Sequence, residues 1–235
     1  MQGGLPMQRY LVAAFMMMIG SLGYGGVAPA QDAAQPTYVV TYLEIVPSLA
    51  SEARQLILAH SAEAGKASGA VQIDALERIG YSNHFALIEQ WQSSSAKQAY
   101  GSTDAAMKFR AALGPLQSAG YDERIHGPLS VGPSSPGSAD PLVILTHVDM
   151  IPTFLDVGVG KVKAFVEQGR AAAGNRRFDV LVQTSRKNHM TIIENWDAAA
   201  DKTAWISRAV AKSFREDLQP ASGSLYDERA YRLLR

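Results

Sequence analysis

The sequence predicts an α+β protein that consists of two copies of one domain. A nine-residue stretch occurs twice, beginning at Asn83 and again at Asn188, and both copies share Asn, His, Glu and Trp at the same positions. The same offset of 105 residues carries Tyr121-Asp122-Glu123-Arg124 onto Tyr226-Asp227-Glu228-Arg229. A constant offset over this length indicates an internal duplication without net insertion.

Length and composition restrict the class of protein. The chain has 235 residues, which is enough for two domains of about 100 residues that each bury a core. Its 22 basic and 22 acidic residues balance, so nothing in the charge favours nucleic acid as a partner. The absence of cysteine excludes disulfides, thiolate metal sites and cysteine nucleophiles. The five histidines show no metal-ligand spacing, and we expect no metal.

Residues 1–30 are predicted to be a secretory signal peptide. Arg9 precedes an apolar run over 11–19, and Ala28-Pro29-Ala30 supplies a small-residue cleavage site before Gln31. The alternative is an uncleaved anchor, but a membrane span needs roughly 20 apolar residues. The glycines that follow Ile19 interrupt the run well before that length. We therefore expect a periplasmic or secreted protein without stable membrane insertion.

The elements of the first repeat, residues 37–129, follow from their borders. Pro47 ends an apolar β-rich run, and Ser48 after it is suited to cap a helix. Gly80 lies in the turn between two strand-like runs, and Ser93 begins a further helical segment. In chain order we predict a strand over 38–46, a helix over 48–66, strands over 71–79 and 84–91, a short helix over 93–100, a helix that begins at 103 or 104, and a strand over 122–129.

This order, β-α-β-β-α-β, is typical of ferredoxin-like folds. A Gly/Pro/Ser-rich linker over 130–141 follows it, and the pattern restarts in a second repeat over 142–235. The first helix of the second repeat contains Gly158 and Gly160, which disfavour a helix interior. We therefore predict that this helix begins late, near Lys161.

Alternation along the strand over 84–91 places apolar residues on both of its faces. Ala86 and Ile88 share one face, and Phe85 and Leu87 share the other. Helices cover only one face of a four-stranded sheet of this kind, so the other face needs a different cover. We predict that the two sheets pack face to face as an intrachain pseudo-dimeric α+β barrel. Sheet edges that remain exposed in this arrangement would also allow two chains to form a homodimer.

The strand that ends in Glu-x-Trp after a hairpin, followed by a short helix, resembles the antibiotic biosynthesis monooxygenase (ABM) domain of the dimeric α+β barrel superfamily. The resemblance covers both repeats. It implies oxidation of quinols or aromatic polyketides by dioxygen without flavin, haem or metal, and therefore no cofactor. The protein would supply an apolar pocket, a base or hydrogen-bond partner, and stabilisation of a developing oxyanion.

In the family that this chain resembles, the Trp of this strand lines a pocket between the sheet and its helices. The corresponding residues here are Trp91 and Trp196, which are therefore candidate catalytic residues. The alternative is that both are core residues that define the fold, with their N–H groups satisfied locally.

Glu89 and Glu194 are also candidate catalytic residues. Each shares a strand face with the neighbouring Trp, and a partly buried carboxylate there is able to act as a base. The alternative is a structural ion pair with a basic residue of the overlying helices, for which Arg110 and Arg215 are the repeated candidates.

The candidates for substrate binding differ between the two copies: His60, Tyr100 and Tyr42 in the first, Trp205 and His147 in the second. His60 lies on the apolar face of its predicted helix, and its counterpart is Phe165. Many members of the resembled family place a His about ten residues after the Trp, whereas this chain has Tyr100 or Trp205 nearby. The two pockets are thus chemically unequal, and one of them is a candidate for a degenerate site.

Two functions follow. The first is an exported, cofactor-independent monooxygenase-like protein that oxidises a small aromatic or quinol substrate with dioxygen. The second is a non-catalytic barrel that binds a hydrophobic small molecule. An open aromatic pocket with a polar partner favours the enzyme, and a pocket filled by side chains favours the binding protein.

Overall fold

The computed structural model describes Met1 and residues 35–135, 137–224 and 226–235. Apart from Met1, the predicted signal peptide lies outside the described residues. Both repeats belong to one compact unit. Within the part of the chain that is described, no helix is long and apolar enough to cross a membrane.

The described elements follow the predicted order twice. The first repeat comprises β1 (Thr37–Glu44), α1 (Ala50–Ala64), β2 (Ala70–Arg78), β3 (His84–Trp91), α2 (Ser94–Gly101), α3 (Asp104–Leu113) and β4 (Asp122–Ser130). The second comprises β5 (Leu142–Asp149), α4 (Leu155–Arg170), β6 (Asn175–Gln183), β7 (His189–Trp196), α5 (Ala199–Ile206), α6 (Ala209–Leu218) and β8 (Asp227–Leu233).

The strands close into one antiparallel barrel in the order β1-β3-β2-β8-β5-β7-β6-β4. Each repeat supplies four consecutive strands of this order, and the repeats join where β2 pairs with β8 and β4 pairs with β6. The predicted α+β fold with two ferredoxin-like repeats is confirmed. The sheets meet at both edges as well as across their faces, so part of each edge considered for a homodimer is paired within the chain.

The two faces of the strands form separate cores, as the alternation predicts. Ala86, Ile88 and their counterparts in other strands fill the barrel interior. Phe85 and Leu87 face the helices of the first repeat, and Trp91 belongs to a neighbouring cluster with Tyr100. Period-two alternation therefore separates the inside of the barrel from the two helix layers.

The repeated Asn of the hairpin has a structural reason. The side-chain amide of Asn83 donates to the carbonyl of Ile45 at 2.8 Å, and that of Asn188 donates to the carbonyl of Met150 at 2.9 Å. In both repeats this bond ties the turn before the central strand to the end of the first strand.

Two predicted helix starts are wrong. Ser48 makes no capping bond, because a short 3₁₀ turn over Pro47–Leu49 precedes α1. The first helix of the second repeat begins at Leu155 rather than near Lys161. A Cβ at Gly158 would lie 2.6 Å from Met150 Sδ, so this glycine permits close packing of the helix rather than ending it.

We expect opposite effects from two glycine substitutions in α4. A Cβ at Gly169 would lie 2.0 Å from the Phe178 ring, so Gly169→Ala should destabilise the protein by about 1–3 kcal/mol through overpacking. Nothing lies within 4 Å of a Cβ at Gly160, and Gly160→Ala should stabilise the helix by about 0.5–1 kcal/mol. Urea unfolding measures both, and a loss of stability in both variants would contradict the packing described.

Candidate functional site

The Glu-x-Trp motif forms its own hydrogen bond in both repeats. Trp91 Nε1 donates to Glu89 Oε2 at 2.8 Å, and Trp196 Nε1 donates to Glu194 Oε2 at 2.8 Å. Residues two apart on a strand share a face, which brings the indole and the carboxylate together. Both Trp side chains are fully buried at 0% exposure. This geometry favours the core interpretation of the two Trp residues over direct contact with a substrate.

A row of stacked rings lies between the sheet and the helices of the first repeat. The Trp91 and Tyr100 rings lie 5.3 Å apart with an interplanar angle of 27°. His60 stacks on Phe109 at 3.8 Å, and its Nδ1 lies 3.3 Å from Tyr100 Oη. The row places one imidazole and one phenol, in contact with each other, at the outer end of an otherwise apolar layer.

The His60 and Tyr100 side chains form the floor of an open groove. One cavity of 280 Å³ lies between α1 and α3 and is lined by His60, Tyr100 and Phe109 among others. A second cavity of 340 Å³ adjoins it and shares Glu63, Tyr100 and Ala105. The lining is mainly apolar, with charged groups at Glu63, Lys66 and Lys108. The groove has the size and character of a site for a small organic ligand.

An inner cavity of 20 Å³ lies behind the ring row. His60, Tyr100, Glu89 and Arg110 contribute to its lining. A volume of this size holds about one water-sized molecule. The carboxylate predicted as a base therefore lies close to the imidazole, on the inner side of the row.

Burial determines the protonation states at this site. Burial, together with the charge of the nearby Arg110, lowers the pKa of His60 to about 4. Burial also raises the pKa of Tyr100 above its ordinary value, and the charge of Glu89 adds to that effect. At neutral pH the imidazole is therefore neutral and the phenol is protonated. The site thus offers one proton acceptor and one O–H donor in contact with each other.

In the second repeat, aromatic rings occupy the equivalent positions, beside a smaller cavity of 150 Å³ that Phe165 and Phe214 help to line. Phe165 replaces His60 and stacks on Phe214 at 3.9 Å. Trp205, which corresponds to Tyr100, is 2% exposed and lies 5.5 Å from Phe165. This cavity is smaller than the 280 Å³ cavity of the first repeat and has neither an imidazole nor a phenol in its lining, so the second repeat fits a structural layer better than a reaction site. Trp205 thus belongs to the core rather than to an open substrate pocket.

The carboxylate of Glu194 belongs to a buried ion pair. Lys202 Nζ lies 2.9 and 2.8 Å from the two Glu194 carboxylate oxygens and 3.2 Å from Glu228 Oε2. The expected partner Arg215 contacts Glu228 instead, so that pairing is wrong. A carboxylate engaged by a lysine and an indole is poorly placed to act as a base.

In the first repeat the corresponding lysine makes a different pair. Lys97 Nζ binds Glu123 at 2.6 Å, while Arg110 donates to the carbonyl of Gly101 at 2.5 Å. Arg110 is therefore not the hydrogen-bonded partner that was expected for Glu89. Burial raises the pKa of Glu89, and the hydrogen bond from Trp91 opposes that rise.

Tyr42 and His147 do not belong to the helix-side site. Tyr42 is part of the barrel-interior cluster, with Arg124 4.8 Å from its ring centroid. His147 Nδ1 lies 3.2 Å from Arg124 Nη1. Both residues therefore lie on the opposite side of the sheet from His60, because adjacent strand residues alternate between the two faces. Grouping Tyr42 with His60, and His147 with Trp205, as substrate-binding residues of the same pocket is wrong.

Sequence reasoning gave His60 and Tyr100 as candidates but missed the roles of two repeated residues. Phe109 supplies the stacking surface for His60, and Lys202 neutralises the buried Glu194. Both positions recur at the same offset in the other repeat, which was the available sequence signal. Among the described residues, no group of three or more His, Asp or Glu is arranged to hold a metal ion.

Comparison with known proteins identifies the class. The family model described as antibiotic biosynthesis monooxygenase matches residues 159–217, within the second repeat. The resemblance found in the sequence is confirmed, because this part of the second repeat matches the ABM family model. The first repeat is a second copy with the same element order. None of the curated proteins compared with the chain matches it significantly.

Solved structures with the same fold span both repeats. A candidate monooxygenase from Fusobacterium nucleatum is similar with a TM-score of 0.76 and 12% identity, covering 86% of this chain and 94% of that one. A candidate monooxygenase from Lactobacillus acidophilus has a TM-score of 0.69 and 13% identity, covering 84% and 94%. An anthrone oxidase-like protein has a TM-score of 0.66 and 14% identity, covering 87% and 93%. At these identities the structures show a shared fold, and the family match supports a monooxygenase-like role.

Replacing the lysine of each ion pair by methionine should destabilise the protein by different amounts in the two repeats. Lys202→Met leaves Glu194 buried without its counter-ion and should cost about 3–5 kcal/mol of stability. Lys97→Met removes a more exposed pair with Glu123 and should cost about 1 kcal/mol or less. Urea unfolding of both variants gives the comparison. Equal losses of stability in the two variants would contradict a larger contribution from the buried Lys202–Glu194 pair.

Proposed function

We propose that the first repeat contains a monooxygenase site for a small electron-rich aromatic substrate of the phenol or quinol type. The observation that supports it best is the His60–Tyr100 pair on the floor of an apolar groove. The second repeat has Phe165 and Trp205 at the same positions and supports the barrel without taking part in the reaction.

In this proposal, neutral His60 accepts a proton from the acidified C–H or O–H group of the substrate. The base form of the ring has Nδ1–H donating to Tyr100 Oη, which leaves the Nε2 lone pair available. Tyr100 in turn donates its own O–H to the substrate oxygen on which negative charge develops. The pair thus combines a proton acceptor with stabilisation of an oxyanion.

The substrate anion itself supplies the electrons. A substrate of the form R₂CH₂ loses one proton and reduces dioxygen, which forms a C–O bond and a hydroperoxide R₂CHOOH. The O–O bond then breaks with loss of water, giving R₂C=O. One oxygen atom enters the product and the other leaves in water, so no external reductant is required. His60 accepts the first proton and returns it to the peroxide oxygen, which gives R₂CHOOH. It then accepts the remaining C–H proton as the O–O bond breaks and passes it to the departing hydroxide, which leaves as water.

The groove suits a planar aromatic ring. Ala59, Ala105 and Ala112 leave room along its length, and the Phe109 ring lies beside His60. Lys66 and Lys108 near the opening favour an anionic substrate, whereas Glu63 offsets part of that charge. Burial of the aromatic ring against this lining would supply most of the binding energy.

Export is part of the proposal and depends on the sequence of residues 1–30 alone. An apolar run that ends in Ala28-Pro29-Ala30 is typical of secretory signal peptides. The reaction would then take place in the periplasm or outside the cell. Loss of export after Ala28→Tyr and Ala30→Tyr, measured by fractionation, tests this part separately.

We expect His60→Phe to lower the rate of dioxygen uptake with a quinol substrate by about 10²–10⁴-fold, because it removes the proton acceptor. Tyr100→Phe should lower it less, since the imidazole remains. The matched control is Phe165→Leu in the second repeat, which should leave the rate within about twofold.

An oxygen electrode with the metal-free mature protein and a panel of quinols and phenols gives these rates. Product that contains one atom from ¹⁸O₂ confirms the monooxygenation. Binding without oxygen uptake for every substrate in the panel would support the non-catalytic alternative instead.

The pH dependence of kcat/KM follows from the lowered pKa of His60. The neutral ring is the active form, so activity should persist well below pH 6.5 and fall as the pH drops through about 4. A fall in kcat/KM centred near pH 6.5, the ordinary pKa of histidine, would show that another group is the base. Circular dichroism at each pH separates loss of activity from loss of structure.

A further inference from the structure

A second cavity lies at one mouth of the barrel. Pairing between β4 and β6 begins at His126 and Gln183, with one more bond from Thr184 N to the carbonyl of Ile125. The β4 residues before Ile125 therefore have an open edge. This opening leaves a cavity of 430 Å³, which shares no lining residue with the helix-side groove. Its lining is mostly polar and comprises Asp122, Glu123, Arg124, Ile125, His147, Gln183, Thr184, Ser185, Arg186 and His189.

The tautomer of His147 is fixed by its neighbour. Its Nδ1 lies 3.2 Å from Arg124 Nη1, and a guanidinium only donates hydrogen bonds. Nδ1 is therefore the acceptor, and the neutral ring carries its proton on Nε2. Burial and the charge of Arg124 lower the pKa of His147 to about 4, which agrees with a neutral ring. His147 thus adds an N–H donor to the cavity wall.

Gln183 is a buried polar group that lacks a partner. Its side chain is 7% exposed and lines the cavity, and its amide makes no hydrogen bond to any residue that the structure describes. The Gln183 amide therefore offers a second donor at the same wall.

Most charges of the lining are already compensated. Arg124 binds both oxygens of Asp122 and Lys97 binds Glu123, while His189 lies 3.3 Å from the Asp149 carboxylate. Arg186 forms no ion pair with any described residue. The cavity therefore presents one uncompensated cation together with two neutral donors, and it also presents the carboxylate of Asp122.

We propose that this cavity binds a small hydroxy- or keto-carboxylate. Arg186 and the His147 and Gln183 donors recognise its carboxylate, and the carboxylate of Asp122 accepts hydrogen bonds from its hydroxyl groups. The volume fits a compact organic acid, and the polar lining disfavours the aromatic substrate proposed for the helix-side groove.

The first repeat has no equivalent set of donors at the corresponding positions. Arg78 and Tyr81 replace Gln183 and Arg186, and the Arg78 guanidinium lies 4.2 Å from the Tyr81 ring centroid. Tyr42 replaces His147 and is itself packed against two guanidinium groups. These groups are engaged with one another, so the proposal applies to one side of this mouth.

Isothermal titration of the mature protein with malate, citrate, pyruvate and inorganic phosphate tests the proposal. Arg186→Gln and Gln183→Leu should each weaken binding of the best acid by about tenfold or more. The matched control is Lys187→Gln, which removes the same charge from the neighbouring exposed residue outside the lining. That variant should bind within about twofold of the unaltered protein.

Three results would overturn the proposal. They are no heat of binding with any of the acids at about 10 mM, an equal loss of affinity in Lys187→Gln, and binding of phosphate as tight as that of the best acid. The last would show a general anion site rather than a carboxylate site. Thermal unfolding of each variant confirms that it is folded, so a loss of affinity reports on the cavity.

Discussion

Each four-stranded sheet of this protein has two apolar faces, and the whole architecture follows from the need to cover both. Helices of the same repeat cover the outer face, and the sheet of the other repeat covers the inner one. The covering is completed by strand pairing between repeats, β2 with β8 and β4 with β6, which leaves the barrel closed. Two copies in one chain thus achieve what a single copy would need a partner chain to provide.

Closure of the barrel leaves the two helix layers independent of each other. The fold requires the buried Glu-x-Trp pair in both, and both have it at the same distance of 2.8 Å. The fold does not require the same residues at the outer ring positions of the two helix layers. One layer carries an imidazole and a phenol beneath an open groove, and the other carries Phe165 beside a smaller cavity with Trp205 in the core. The two copies therefore keep the same buried pair while their outer positions differ.

The sequence predicted the fold well because repetition and period-two alternation are local patterns. The nine-residue repeat and the alternation around Ala86 and Phe85 were sufficient to predict the barrel. Helix starts were less predictable, since Gly158 looks like a helix breaker until Met150 is seen packed against it. The contact between Gly158 and Met150 forms only in the folded structure and cannot be inferred from the local sequence.

The site was predicted only in part for the same reason. His60 and Tyr100 were both candidates, but their contact across 40 residues is visible only in three dimensions. Tyr42 was grouped with them although it lies on the other side of the sheet. The carboxylate of Glu194 looked available until Lys202 was found against it. Ion pairs and cavities depend on which elements are neighbours, and one sequence specifies this only indirectly.

The central claim is that a substrate binds on the helix side of the first repeat and not of the second. NMR spectra of the uniformly ¹⁵N-labelled mature protein, recorded during titration with a redox-inert phenol, test it most directly. We expect shifts at the amides around Ala59, Tyr100 and Ala105, and at the His60 ring nitrogens, while the Trp205 indole N–H stays unchanged. Shifts centred on Trp205, or equal shifts in both repeats, would contradict the account.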